Sequence, residues 1–224
     1  MATAISSATN DVSDRIARQT LAKREAEYAS EIRRLLDAAL DVMRDCGTTS
    51  RPRVADIVAA AGLSNDAFYR HFPSKDALVA AILDDGAERL GSYLAHQMAK
   101  EPTPQGQVRR WVEGVLSQAD EEIAATTLAV LWNAGSVGEG LASGRHFASV
   151  PVATVLREPL AALGSEAPDF DASLAAHATL GKLSDHLWQR TQPTRAEIAR
   201  ITDFCLAAVT PRHANTKSST TRRR

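Results

Sequence analysis

The stretch from Val54 to Leu78, VADIVAAAGLSNDAFYRHFPSKDAL, leaves the chain little choice of local structure. Val54, Ile57 and Val58 are apolar at helical spacing, and Ala59 to Ala61 favour helix. Gly62 can take a positive φ and so ends that helix. Leu63 plugs the angle that follows, and Ser64 is a good N-cap for a second helix. That helix, Asn65 to Phe72, is only about two turns long. It carries Phe68 and Phe72 on one face and Asn65, Asp66, Tyr69 and Arg70 elsewhere. Pro73 blocks its continuation. Ser74 then caps a longer helix, with Asp76 suiting its first turn. Two short helices around a glycine turn, the second opening on polar side chains, make a helix-turn-helix. That unit places a recognition helix in the major groove of DNA.

The same residues resemble a known family. Ala61-Gly62-Leu63-Ser64, then Phe68-Tyr69-Arg70-His71-Phe72, then Ser74-Lys75 and Leu78 are similar to the DNA-binding signature of the tetracycline-repressor (TetR) family of bacterial regulators. With the preceding helix, the resemblance runs from Glu31 to Leu94; beyond it the architecture is similar but no motif is shared. One position departs from the family pattern. The threonine that often precedes the residue matching Val54, capping the helix and touching a phosphate, is Arg53 here. The cap then moves to Ser50 or is absent, and Arg51 and Arg53 are candidates for the phosphate contact.

Composition supports an all-α class. Hydrophobic residues make up 44% and charged residues 24%, enough for a core in a soluble chain, while strand-type alternation is scarce. No apolar run is long enough to span a membrane. The N-terminal residues lack the basic start and apolar centre of a secretory signal. Cys46 and Cys205, far apart in sequence, suit reduced thiols in a cytoplasmic protein. Charge does not advertise a nucleic-acid binder: the net value is −1, and Glu31 to Asp76 holds seven Lys/Arg against seven Asp/Glu. Positive charge must therefore be gathered on one face by the fold, because non-specific affinity comes from phosphate neutralisation.

In order along the chain, residues 1–29 read as a flexible arm whose Arg15, Arg18, Lys23 and Arg24 are either solvated or reach DNA. A DNA-binding domain follows over 30–76. Its first helix, capped by Ser30, carries the stripe Ile32, Leu35, Leu36, Ala39, Leu40 and Met43 and stops at Gly47. Residues 77–209 form a helical ligand-binding and dimerisation body. The helix from Ser74 carries Val79, Ile82, Leu83, Leu90 and Leu94 out to about Met98. Later stripes are Val108, Trp111, Val112, Val115 and Leu116, and then Ile123, Leu128, Leu131 and Trp132. Gly135 to Gly144 reads as a loop without a phosphate-loop lysine, and Pro151 and Pro159 predict a broken helix near Phe147 to Leu163. Two helices, Asp171 to Arg190 and Arg195 to Val209, close the body. The tail 210–224, with five basic residues and no acid, reads as disordered.

In the recognition helix, Asn65 can pair with adenine, Arg70 with guanine and Asp66 with cytosine; Asp66 equally serves the helix N-terminus. By resemblance, Ser64, Tyr69, His71 and Lys75 contact phosphates, and Ala67 lies on the same surface. For Tyr69 and His71, packing between helices is the competing assignment. Phe68 and Phe72 belong to the core. The last two helices are expected to pair a homodimer, through a small-residue face of Ala172, Ala175, Ala176, Thr179 and Gly181 and a stripe of Ile198, Ile201, Cys205 and Ala208. A symmetric dimer fits a palindromic operator in double-stranded DNA, since one two-turn helix reads few base pairs. By resemblance the body binds a small effector, and Trp111, Trp132, His146, Phe147, His177 and Trp188 are the large or polar candidates to line its site. No cofactor or metal is called for: H-E-x-x-H, E-x-x-H, C-x-x-C and G-x-S-x-G are all missing. The reading is a ligand-released repressor; an effector-independent architectural DNA binder and a helical enzyme are the alternatives.

Overall fold

Capping chemistry sets the ends of the short helices. The computed structural model describes residues 2–135, 149–207 and 209, with side chains from Asp14 onward, and all regular structure among them is helical. The first four helices are α1 (Ala2–Cys46), α2 (Val54–Ala61), α3 (Asn65–His71) and α4 (Lys75–Met98). Gly47, at φ +54°, ends α1, and its N–H returns to the Met43 carbonyl at 2.9 Å. Gly62 ends α2 at φ 62°, with the Leu63 N–H bonded to Val58 O at 2.9 Å, the hydrogen-bond pattern of a Schellman stop. The Arg34 guanidinium of α1 donates to the last carbonyls of α2, Ala61 O at 2.5 Å and Gly62 O at 3.1 Å. Ser64 and Ser74 cap α3 and α4, accepting from the N–H of Ala67 and Ala77, each at 3.1 Å. The start of α2 has no such cap: Arg53 occupies the position with no side-chain bond to the helix N–H groups, and Ser50 does not replace it.

The remaining helices are α5 (Pro104–Leu116), α6 (Glu121–Gly135), α7 (Arg157–Ala162), α8 (Pro168–Gln189) and α9 (Arg195–Ala207). A 3-10 turn spans Ser117–Ala119, and residues 149–154 are also helical. The chain breaks helix at 155–156, between the two prolines, as their positions predict. The glycine-rich loop expected at Gly135 to Gly144 and the tail 210–224 lie almost wholly outside the described residues.

Packing divides the chain into two units, residues 1–83 with 125–141, and residues 84–124 with 142–224. The first unit draws apolar residues from beyond residue 76. Its core joins Leu35, Ala39 and Met43 of α1, Ile57 and Val58 of α2, Phe68 and Phe72 of α3, Leu78, Val79 and Ile82 of α4, and Ala129, Val130 and Ala134 of α6. In α6 the buried side is Leu128 to Val130 and Ala134, whereas Ile123 is exposed, so the stripe read from sequence was rotated.

Residues 1–29 also depart from expectation. Residues 2–29 continue α1 as helix, and Ser30 lies inside it rather than at its cap. Residues 14–30 are exposed throughout, including Ile16, Leu21 and Tyr28. Ala, Arg, Lys, Glu and Gln dominate this segment, and these are strong helix formers whatever their polarity.

The second unit is organised on α5. Val108, Trp111, Val112, Val115 and Leu116 are completely enclosed, with α7, α8 and α9 packed around them. The Trp111 indole N–H donates to Val152 O at 2.9 Å. A Cβ on Gly114 would lie 2.5 Å from Leu94 Cδ2, so glycine is what allows α4 and α5 to approach there. On α8 the small residues Ala172, Ala175, Ala176 and Thr179 are buried inside the unit, not presented outward. The exposed line is instead Phe170, Leu174, His177, Gly181 and Trp188. On α9, Cys205 is buried beside Thr179, and burial pushes its thiol up. Ile198 and Ile201 are half-buried, Phe204 is exposed, and Ala208 lies outside the described residues. Cys46 and Cys205 are free thiols.

Candidate nucleic-acid interface

The recognition helix α3 is held by one face and shows the other. Phe68 and Phe72 sink into the core of the first unit, with ring centroids 5.9 Å apart, and this fixes the roll of the helix. Ser64, Asn65, Asp66, Tyr69 and Arg70 are left exposed on its first turns and outer side. The Ser64 oxygen accepts from the helix, so its hydroxyl hydrogen still has a donor direction to offer. Tyr69 packs edge-on against Phe68 at 5.2 Å while remaining exposed, a stiff platform for its phenol. Lys75, half-buried at the start of α4, lies 3.4 Å from the Pro52 carbonyl.

Two expected contacts are relocated by packing. Ala67 is only 3% exposed and belongs to the core rather than to the DNA side. The His71 side chain is 2% exposed and its Nε2 lies 2.6 Å from Glu31 Oε2 of α1. Through this contact the enclosed His71 ring ties α3 to α1. Tyr28 completes this contact, standing edge-on to the His71 ring at 5.0 Å.

Two further groups were not anticipated. Glu31 takes His71 and also lies 3.8 Å from Arg70. The bond to His71, with Arg70, His71 and Arg34 nearby, holds the Glu31 carboxyl below the usual range against the opposing effect of burial. Asp56, in the first turn of α2, takes Arg53 with both oxygens, Nε and Nη2 each at 2.9 Å. That bond lowers the Asp56 carboxyl and raises the Arg53 guanidinium. The Arg53–Asp56 pair was legible from its i, i+3 spacing. Glu31 and His71, forty positions apart, gave no local signal. Arg51 is exposed.

Of the six candidate effector residues, four are described. Trp111 is core in the second unit, whereas Trp132 belongs to the first. His177 and Trp188 are on the outer face of α8, the His177 Nδ1 lying 2.7 Å from its own helix's Ser173 O. His146 and Phe147 fall outside the described residues. Among the described residues no His, Cys, Asp and Glu are grouped to hold a metal ion, and no helix is long and apolar enough to cross a membrane.

A helix-turn-helix with this packed back and polar front, carried on a helical chain, defines a DNA-binding transcriptional regulator. Residues 35–82 match the model for bacterial regulatory proteins of the tetR family. The chain thus carries the DNA-binding domain of the TetR family of transcriptional regulators. Solved structures agree in fold. A TetR transcriptional regulator from Rhodococcus sp. RHA1 superposes with TM-score 0.64 at 20% identity, over 82% of this chain and 100% of that one. The fatty acid degradation regulator FadR from Bacillus halodurans gives 0.60 at 17%, over 77% and 96%. RolR, solved in complex with resorcinol, gives 0.59 at 14%, over 82% and 89%. Among curated proteins no sequence match is found.

Proposed function

We propose that this regulator is a repressor that binds a palindromic operator as a homodimer and is released by a small, mostly apolar effector. The observation that carries the DNA reading is the division of α3: Phe68 and Phe72 buried, Ser64, Asn65, Asp66, Tyr69 and Arg70 outward. In this assignment Asn65, Asp66 and Arg70 read bases, while Ser64, Tyr69, Lys75, Arg51 and Arg53 meet phosphates. The outward apolar line on α8, Phe170, Leu174 and Trp188 with Gly181 among them, supports a paired subunit. Phe204 on α9 adds to it. The apolar choice of effector rests on the apolar side chains that fill the second unit; RolR, similar in fold, was solved with a small aromatic molecule, resorcinol. To release DNA the effector must favour one conformation over the other; about 1–3 kcal/mol of coupling gives roughly 5–150-fold in operator affinity.

Selection of bound duplexes from a random pool supplies the operator, and two equivalent half-sites are the expected result. On that operator Arg70→Ala is expected to cost about 1–3 kcal/mol and to relax one position per half-site. Lys75→Ala should weaken every sequence alike and flatten the salt slope by about 0.9 per lost phosphate contact. A Lys75→Ala protein with altered sequence preference and an unchanged slope would reverse these roles. For the effector, a compound found by thermal shift should lower operator affinity. One that stabilises the protein and leaves DNA binding unchanged points to the effector-independent architectural alternative.

A further inference from the structure

The first unit neutralises its own DNA-facing arginines. Arg53, with its side chain 79% exposed, is gripped by both oxygens of Asp56 at 2.9 Å. Arg70 lies 3.8 Å from Glu31, and its guanidinium stands 5.8 Å over the Tyr28 ring. Glu31 does not drift from this position, because the same oxygen is fixed 2.6 Å from His71, whose ring is buried. The two carboxylates come from different helices and hold different arginines. Both are also held on the acid side of their ordinary range, so both are charged wherever DNA binding is measured near neutrality.

We propose that Glu31 and Asp56 are specificity-determining residues, internal counter-ions that occupy Arg70 and Arg53 until a correctly seated operator displaces them. The inference rests on the reading that these two arginines contact DNA. Such exposed ion pairs contribute little to folding. Their effect falls on association. Non-specific affinity grows with each phosphate that a free cation neutralises, because each releases a condensed counterion. An arginine already paired with a carboxylate exchanges one anion for another, and random DNA, met out of register, offers nothing more. An operator adds base contacts that random DNA lacks. The carboxylates therefore suppress arbitrary binding more than operator binding, which fits a DNA-binding region whose basic and acidic residues balance seven to seven between Glu31 and Asp76.

The test titrates the full-length protein against a random-sequence duplex and the selected operator over a range of salt. Asp56→Asn and Glu31→Gln preserve shape and remove the charge. Each should bind the random duplex about fivefold tighter, the scale of unit charges about 4 Å apart in water. The salt slope should steepen by about 0.9 per freed cation, and the ratio of operator to random affinity should fall. The same changes should have no effect in Arg53→Ala and Arg70→Ala backgrounds respectively. Random-duplex affinity unchanged by both amides would overturn the inference. So would a gain of equal size without the arginine, which marks a general charge effect. If Arg53→Ala and Arg70→Ala themselves bind operator as wild type does, the interface reading fails and takes the inference with it. The two amides stand on different helices, so either carries the test should the other impair folding.

Discussion

A Gly181→Arg protein is expected to remain folded yet sediment as a monomer, and to lose about 10²–10⁴-fold in operator affinity, the range gained when two linked sites engage together. The reasoning begins with space. A Cβ built at Gly181 meets nothing within 4 Å, so the new side chain disturbs no internal packing. Gly to Arg within a helix also gains up to about 1 kcal/mol of intrinsic propensity. Any loss must therefore arise outside the protomer. Gly181 lies on the exposed line of α8 with Phe170, Leu174, His177 and Trp188. Phe170 is 67% exposed and Trp188 49%, more than large apolar side chains usually tolerate without a covering partner. A long charged side chain amid a close helix contact costs desolvation that the pairing cannot recover. Sedimentation, circular dichroism and operator titration of both proteins check this. A wild-type monomer, or a variant dimer of undiminished strength, would remove α8 from the proposed interface.

The contrast within α8 shows what its sequence could and could not reveal. Its small residues were legible as a stripe, but periodicity gives a face without giving its direction. Ala172, Ala175, Ala176 and Thr179 serve the subunit's own core, and the bulkier line is the outward one. The first unit was more legible because its signals are local: Gly62, Ser64 and Ser74 act on backbone groups within a few residues, and each is found at its predicted end. The stripe on α1 likewise supplied Leu35, Ala39 and Met43 to the core. Residues 14–30 misled because polarity was read as disorder, whereas their alanines, arginines and glutamates favour helix even when fully solvated. Ala67 and His71 misled because the resemblance assigns positions to a surface without measuring their depth. The Glu31 contact to His71 was invisible for another reason: only the crossing of α1 and α3 brings the two together.

Trp111 was a candidate to line an effector site, and its surroundings give a sharp expectation against that role. Its side chain is fully enclosed, with Val108, Val112, Val115 and Leu116 of the same helix equally buried. Its indole N–H is satisfied by Val152 O at 2.9 Å. Truncation to alanine removes both the packing and the donor. Phe or Trp to Ala in a core costs about 3–5 kcal/mol, and an orphaned buried carbonyl adds about 1–3 kcal/mol. Against a total stability of about 5–15 kcal/mol, Trp111→Ala should leave the second unit unfolded or close to it. Trp111→Phe separates the two losses, since it keeps most of the ring volume and removes only the donor, and it should cost less than half as much. Urea unfolding followed by circular dichroism measures both. Were Trp111→Ala to fall within about 1 kcal/mol of wild type, well below the range for an enclosed aromatic, the site would tolerate an empty space. Trp111 would then line a cavity rather than fill a core, and a changed effector response in Trp111→Phe would follow.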